Sequence, residues 1–270
     1  MYCALKVPYG PHARNHYDLF IPEGSEDSAL TICLHGGWWS QGRNEDLRLF
    51  CLALAESRIA TATIDFRSFA DGARAGQDLI DEIRGAIVKI LDDSAVNGMD
   101  GRSLILLGSG SGSLLALTLA AQLGEDPKLR VRGAIACGVT PSLDHGDGMA
   151  ATLAKAIDQF AGSQRHALSP LHIRPEAFPP LLLLHGDADA EVPAKLAHRF
   201  HLKVVEGGEE SALAVLSGLG HQFVENPLDR GGKAALERIV PFILEHARAP
   251  EAEASFCDPR DRGAAERSEP

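Results

Sequence analysis

The sequence predicts one α/β domain built on a mostly parallel sheet flanked by helices, and three observations carry that reading. Short apolar runs alternate with amphipathic helical stretches along most of the chain, the pattern of a parallel sheet with helices on both faces. At 270 residues the chain can bury a large single core without splitting. Hydrophobic content of 45% and charged content of 23% are ordinary for a globular protein and exclude a disordered or fibrous one.

The elements follow in order. Residues 17–21 read as an early strand ended by Pro22-Glu23-Gly24, and 29–34 as a strand buried on both faces, because its apolar run is unbroken. Asn44 is placed to cap a helix to about residue 58, with Leu47, Phe50 and Leu54 on one stripe. A strand over 59–66 leads to an amphipathic helix over 77–92. A short central strand over 103–107 breaks into a Gly/Ser run and is followed by an apolar helix over 114–123. Another strand spans 131–137. Periodicity is then lost from 138 to 180, apart from a helix near 148–160, so this segment is expected as a small cap-like excursion above the sheet. The sheet resumes at 181–184, a helix covers 194–203, the last strand is 213–216, and a helix over 232–247 closes a domain spanning 1–248. The polar segment 249–270 is expected to be a disordered tail.

Charge and cysteine usage narrow the function classes. A net charge of -11 argues against a nucleic-acid partner, which needs clustered Lys and Arg. No run of about 18 apolar residues marks a membrane span, and the N-terminal residues lack the apolar core of an export signal. Cys3, Cys33, Cys51, Cys137 and Cys257 are scattered, odd in number and free of any C-x-x-C pair. That points to a reducing compartment, and the cytoplasm is the expected location. The oligomeric state is not readable.

Three segments carry chemistry. His35-Gly36-Gly37-Trp38-Trp39 follows a buried strand directly. Acyl transfer develops negative charge on a carbonyl oxygen, and stabilising it requires backbone N–H groups aimed into a water-poor site, each worth about 2.7–4 kcal/mol. Paired glycines let consecutive N–H groups point outward without interference from Cβ. Trp39 reads as a packing residue, whereas Trp38 is placed to line a site. The second segment is His185-Gly186-Asp187-Ala188-Asp189 with Val192-Pro193, and the third is Gly220-His221-Gln222-Phe223 after the last strand. A carboxylate after a late strand can orient a histidine whose loop reaches over the strand ends.

These segments resemble the α/β-hydrolase fold family, in particular esterases of the hormone-sensitive-lipase and kynurenine-formamidase kind. The likeness runs from about residue 16 to about 245. It includes Asp65-Phe66-Arg67, similar to the family's Asp-Tyr-Arg, and Ser169-Pro170 before a late strand; both read as structural. The resemblance implies an α/β-hydrolase fold, oxyanion donors around Gly36, Gly37 and Trp38, Asp189 as the acid rather than Asp187, and His221 as the base about thirty residues later.

The family's nucleophile sits in Gly-x-Ser-x-Gly, and here the chain departs from the pattern. It reads Leu107-Gly108-Ser109-Gly110-Ser111-Gly112-Ser113, so Gly110 stands where the serine is due. Ser111 can serve in a turn displaced by one residue, and Ser109 in one displaced the other way. Otherwise no serine serves, and the His221–Asp189 pair activates water as a general base. His145, His166 and His172 lie in the excursion at spacings that match no metal motif, and His35 and His185 read as structural. The glycines do not form a nucleotide loop. The expected activity is cofactor-free hydrolysis of a small carboxylic ester or amide. The alternatives are a lyase or cyclase using the same pair, or a pseudo-hydrolase that binds a ligand in the acyl pocket.

Overall fold

A computed structural model of the chain describes residues 1–26, 28–72, 76–144 and 147–247. Eight strands form one sheet in the order β1-β2-β4-β3-β5-β6-β7-β8. The strands are β1 (Tyr2–Pro8), β2 (His16–Ile21), β3 (Leu30–Leu34), β4 (Thr61–Ile64), β5 (Ser103–Ser109), β6 (Arg130–Cys137), β7 (Leu181–Gly186) and β8 (Ser211–Leu216). Every neighbouring pair from β4 to β8 is parallel, whereas β1 and β2 run antiparallel at one edge. The helices are α1 (Glu45–Glu56), α2 (Gly76–Val96), α3 (Ser111–Leu123), α4 (Ala154–Ala161), α5 (Ala194–Glu206) and α6 (Arg230–His246).

The strand periodicity of two divides the core. Ile32, Leu34, Leu104 and Leu106 face a cluster built with α2, α3 and part of α5. Cys33, Ile105 and Leu107 face the opposite cluster, built with α1 and α6. Covered on both faces, β3, β5 and β7 are buried at every residue and mostly apolar.

Four sequence-based expectations differ from the structure. β1 is absent from them because it is an exposed edge strand without a buried period, bulged between Ala4 and Val7. Asn44 precedes α1 but does not cap it: its side chain makes no cap hydrogen bond, and its amide is buried without a partner among the described residues. The first helical N–H groups bond to backbone instead, Asp46 N–H to Arg43 O and Leu47 N–H to Asn44 O, both at 3.1 Å. The Gly/Ser run is no loop, since β5 continues through Ser109 and α3 begins at Ser111, leaving Gly110 as a one-residue turn. Finally, the helix expected near 148–160 is a 3-10 turn at Ala151–Leu153 followed by α4.

Within the excursion, Ser169 Oγ accepts from Leu143 N–H at 2.8 Å and donates to Arg165 O at 2.6 Å, tying the segment to itself. His166 stacks on His172, which is paired with Asp144. His145 and the tail expected over 249–270 lie outside the described residues. Among the described residues no helix is long and apolar enough to cross a membrane.

Candidate active site

The site lies where β3, β5, β7 and β8 deliver their following turns to one edge of the sheet. The turn after β5 is the tightest. Gly110 has φ 54° and ψ -122°, in the left-handed half of the map that L side chains avoid. Its N–H donates to Cys137 O at 2.8 Å, and its carbonyl accepts from Ser113 N–H at 2.9 Å. The flanking glycines are sterically required. A Cβ on Gly108 would lie 2.1 Å from Gly112 O, and one on Gly112 would lie 2.3 Å from Leu34 O. These approaches fix the register: Gly108 and Gly112 flank the turn, and Gly110 is its apex.

The apex points at His221. A Cβ built on Gly110 would lie 3.0 Å from His221 Nε2. That nitrogen is buried and has no hydrogen-bond partner among the described residues. The other ring nitrogen, Nδ1, meets Asp189 Oδ2 at 2.7 Å.

Asp189 is held at every lone-pair direction. Its Oδ1 accepts the N–H groups of Glu191 at 2.8 Å and Val192 at 2.9 Å, and its Oδ2 also lies 3.1 Å from His185 Nε2. Burial, the largest single effect, pushes this carboxyl's pKa up. The hydrogen bonds from His185, His221 and the Val192 N–H together outweigh it and hold the pKa well below the usual carboxylate range. Asp187 is a turn-former, accepting Gly218 N–H at 2.6 Å.

The loop after β3 closes the site from the other side. A Cβ on Gly36 would lie 3.0 Å from Ser109 O, so this loop packs directly on the turn below it. Gly37 has φ 98°, and Trp38 and Trp39 have φ 50° and 57°. Positive φ at two consecutive tryptophans costs roughly 1–3 kcal/mol each, and it aims the Trp38 N–H at the residue following the apex. That N–H donates to Ser111 Oγ at 2.8 Å. The Trp38 indole lies parallel to the His221 ring, with centroids 5.6 Å apart and planes at 11°, and its Nε1–H donates to Glu191 Oε2 at 2.7 Å. Trp39 packs inward on Phe160.

Behind the loop, Arg14 Nη2 donates to Asp65 Oδ1 at 2.6 Å and to Gly42 O at 2.5 Å. His35 stacks on Phe66 and lies 3.5 Å from Asp65. Burial raises the Asp65 pKa, but its hydrogen bonds with His35 and Arg14 carry it below the usual range.

The structure therefore brings together His221, Asp189, Gly110, Ser111, Gly36, Gly37 and Trp38. It does not bring Ser111 to His221: the Ser111 hydroxyl makes its one hydrogen bond with Trp38, and His221 Nε2 has no bond to it. The displaced turn that this serine needed is absent, because the register is set by Gly108 and Gly112. Ser109 lies in β5, paired with Cys137. Two participants escaped the sequence reading. His185 touches the acid, and Glu191 ties the acid turn to the indole. Both sit inside or beside the His185–Asp189 motif, which was the available signal. No group of three His, Cys, Asp or Glu side chains among the described residues is arranged to hold a metal ion. Two surface clefts, of about 600 Å³ beside Leu91 and Lys128 and about 480 Å³ beside Tyr9 and Glu82, include none of these side chains.

Known proteins share this arrangement of strands and turns. A family model described as BD-FAE matches residues 17–135. Isoprenylcysteine alpha-carbonyl methylesterase ICME from Arabidopsis thaliana is 25% identical over 95% of this chain and 65% of that protein. A protein named probable isoprenylcysteine alpha-carbonyl methylesterase ICME from Oryza sativa subsp. japonica is 26% identical over 93% of this chain and 65% of that one. The chain thus spans just under two thirds of the length of these curated relatives. Among solved structures, the propionate-bound thermophilic esterase Est2 from Thermogutta terrifontis superposes with a TM-score of 0.74, covering 93% of this chain and 96% of that one at 20% identity. A sheet of this order, its tight turn after β5 and these likenesses converge: the chain has the α/β-hydrolase fold and is similar to esterases that share it.

Proposed function

We propose that this chain hydrolyses a small carboxylic ester, with a water molecule attacking from the space where a serine side chain would stand. One observation carries the reading: the apex of the turn is a glycine whose missing side chain faces a buried, unpartnered imidazole nitrogen. A water in that space accepts its position from His221 Nε2. As its oxygen bonds to the carbonyl carbon, its proton passes to Nε2, and Asp189 stabilises the resulting imidazolium through Nδ1–H. The oxyanion so formed is met by the N–H of Ser111 and by donors of the loop after β3. There the Ser111 hydroxyl, already accepting from Trp38 N–H, has its own proton free to donate. When the carbon–oxygen bond to the leaving group breaks, the Nε2 proton goes to the departing alkoxide. Acid and alcohol are released, and the histidine is neutral again. The relatives' names, methylesterase and esterase, support the ester as the substrate class.

The test is turnover of short-chain aryl esters in H₂¹⁸O, with intact-mass detection of the protein. The expected result is hydrolysis that depends on His221, labelled acid, and no acyl adduct on the chain. An adduct on Ser111 or Ser109 refutes the water route. Turnover of a non-ester carbonyl compound alone favours a lyase or cyclase, and binding without turnover favours a pseudo-hydrolase.

A further inference from the structure

The carboxylate of the dyad is shared by two histidines. His185 is fully buried at the end of β7, and both of its ring nitrogens are committed. Val139 N–H donates to Nδ1 at 3.1 Å, so Nδ1 is an acceptor and carries no proton. The proton therefore sits on Nε2, which faces Val192 O at 2.9 Å and Asp189 Oδ2 at 3.1 Å. The Asp189 oxygen 3.1 Å from Nε2 is the same one that receives His221 Nδ1 at 2.7 Å.

We propose that His185 is a positioning residue of the dyad, whose Nε2–H dipole, held by Val192 O and 3.1 Å from Asp189 Oδ2, withdraws part of the charge available to His221. This role rests on the hydrolase reading only for its use; the hydrogen-bond geometry stands without turnover. The other ionisable groups facing the pair are few. Glu191, on the acid turn, is engaged with the Trp38 indole, and Asp187, two residues before Asp189, accepts from Gly218. A proton on His185 Nδ1 would break the Val139 bond inside a closed core.

Two measurements test this on the full-length protein. Trp38 lies over His221, so formation of the imidazolium should quench its fluorescence, and a Trp38→Phe control assigns the signal. Removing the donor with His185→Leu should move the midpoint of that pH titration up by about one unit, as expected for losing one hydrogen bond to a carboxylate. His185→Gln, which keeps an N–H near the Nε2 position, should return it towards the wild-type midpoint. A midpoint that stays put or falls in a folded His185→Leu variant overturns the proposal. Should that variant fail to fold, ¹⁵N NMR of the unaltered protein decides. The proposal requires His185 as the neutral Nε2–H form across the titration, and finding it protonated on Nδ1, or titrating, overturns it. Neither readout uses catalysis, so a missing esterase activity would sink the hydrolase reading alone.

Discussion

Replacing Gly110 with serine should install the missing nucleophile, and the structure sets both its cost and its gain. The backbone already holds φ 54° and ψ -122°, so the turn does not have to be remade. Placing a Cβ at positive φ costs about 1–3 kcal/mol. The new Cβ would also stand 3.0 Å from His221 Nε2 and 3.5 Å from Cδ2, so the ring must yield by a few tenths of an ångström. The Trp38 ring stacked on it at a 5.6 Å centroid distance must move with it. At roughly 2–4 °C per kcal/mol for a domain of this size, the variant should melt several degrees lower and remain folded. The hydroxyl oxygen lies one bond beyond Cβ, within reach of a nitrogen that has no other partner. General-base activation of that hydroxyl should raise aryl-ester cleavage about 10²–10⁴-fold over Gly110→Ala, which adds the same Cβ without the oxygen. A fluorophosphonate should label Gly110→Ser and leave both the wild type and Gly110→Ala unlabelled. A folded Gly110→Ser variant that is neither labelled nor faster than Gly110→Ala would refute the placement of the apex against His221.

The other predictions concern the groups around that apex. Ser111→Ala should leave turnover within about tenfold, a change of about 1.4 kcal/mol, because the Trp38 N–H it frees can meet the oxyanion directly; complete loss in steady-state kinetics would return Ser111 to the nucleophile role. Asp189→Asn would set an amide N–H against donors from His185 and His221, and should cost at least about 10²-fold in kcat and about 1–3 kcal/mol in stability. Because the Asp189 pKa is depressed in the native state, its contribution to stability is present above the ordinary carboxylate range and is lost as pH falls below that range. Urea midpoints from pH 7 down to 3 should therefore drop more steeply for the wild type than for Asp189→Asn, and parallel slopes would contradict the depressed value. Glu191→Ala should release the Trp38 indole, seen as red-shifted emission and easier acrylamide quenching over the constant signal of buried Trp39; an unchanged spectrum would show that the 2.7 Å bond does not hold the ring.

The features that were legible in the sequence are those set by periodicity and local chemistry. The apolar runs at 30–34, 104–107 and 181–184 announced strands covered on both faces, and each lies inside the sheet with a neighbour on either side. Gly108, Gly110 and Gly112 could be counted against a motif because a sharp strand-to-helix turn restricts side-chain size at alternate positions. β1 could not be seen, since an edge strand exposed on both sides of its pleat has no buried period to display. Asn44 looked like a cap because residue type suggests a cap, but its own backbone is helical and the Asp46 and Leu47 N–H groups bond to the Arg43 and Asn44 carbonyls. The roles of His185 and Glu191 depend on contacts across the turn, from Val139 and Trp38, that no local pattern encodes.

The energetics of the site bear on whether it is a relic or is used. Trp38 and Trp39 hold positive φ, which glycine would adopt at lower cost. Asp189 is buried with its charge, and His221 Nε2 is buried without a partner, which typically costs about 1–3 kcal/mol. A fold needs none of these for its own stability. Glycine in the loop would relieve its backbone strain, and apolar side chains in place of Asp189 and His221 would relieve the two burial penalties. The costs also share one target, since the strained loop, the clamped carboxylate and the orphaned nitrogen all converge on the space above Gly110. A scaffold drifting free of chemistry would be expected to release such strains independently, one position at a time. Their coexistence around a single vacant side-chain position is the physical reason to place a reacting water there, and it makes Gly110 the residue on which that reading turns.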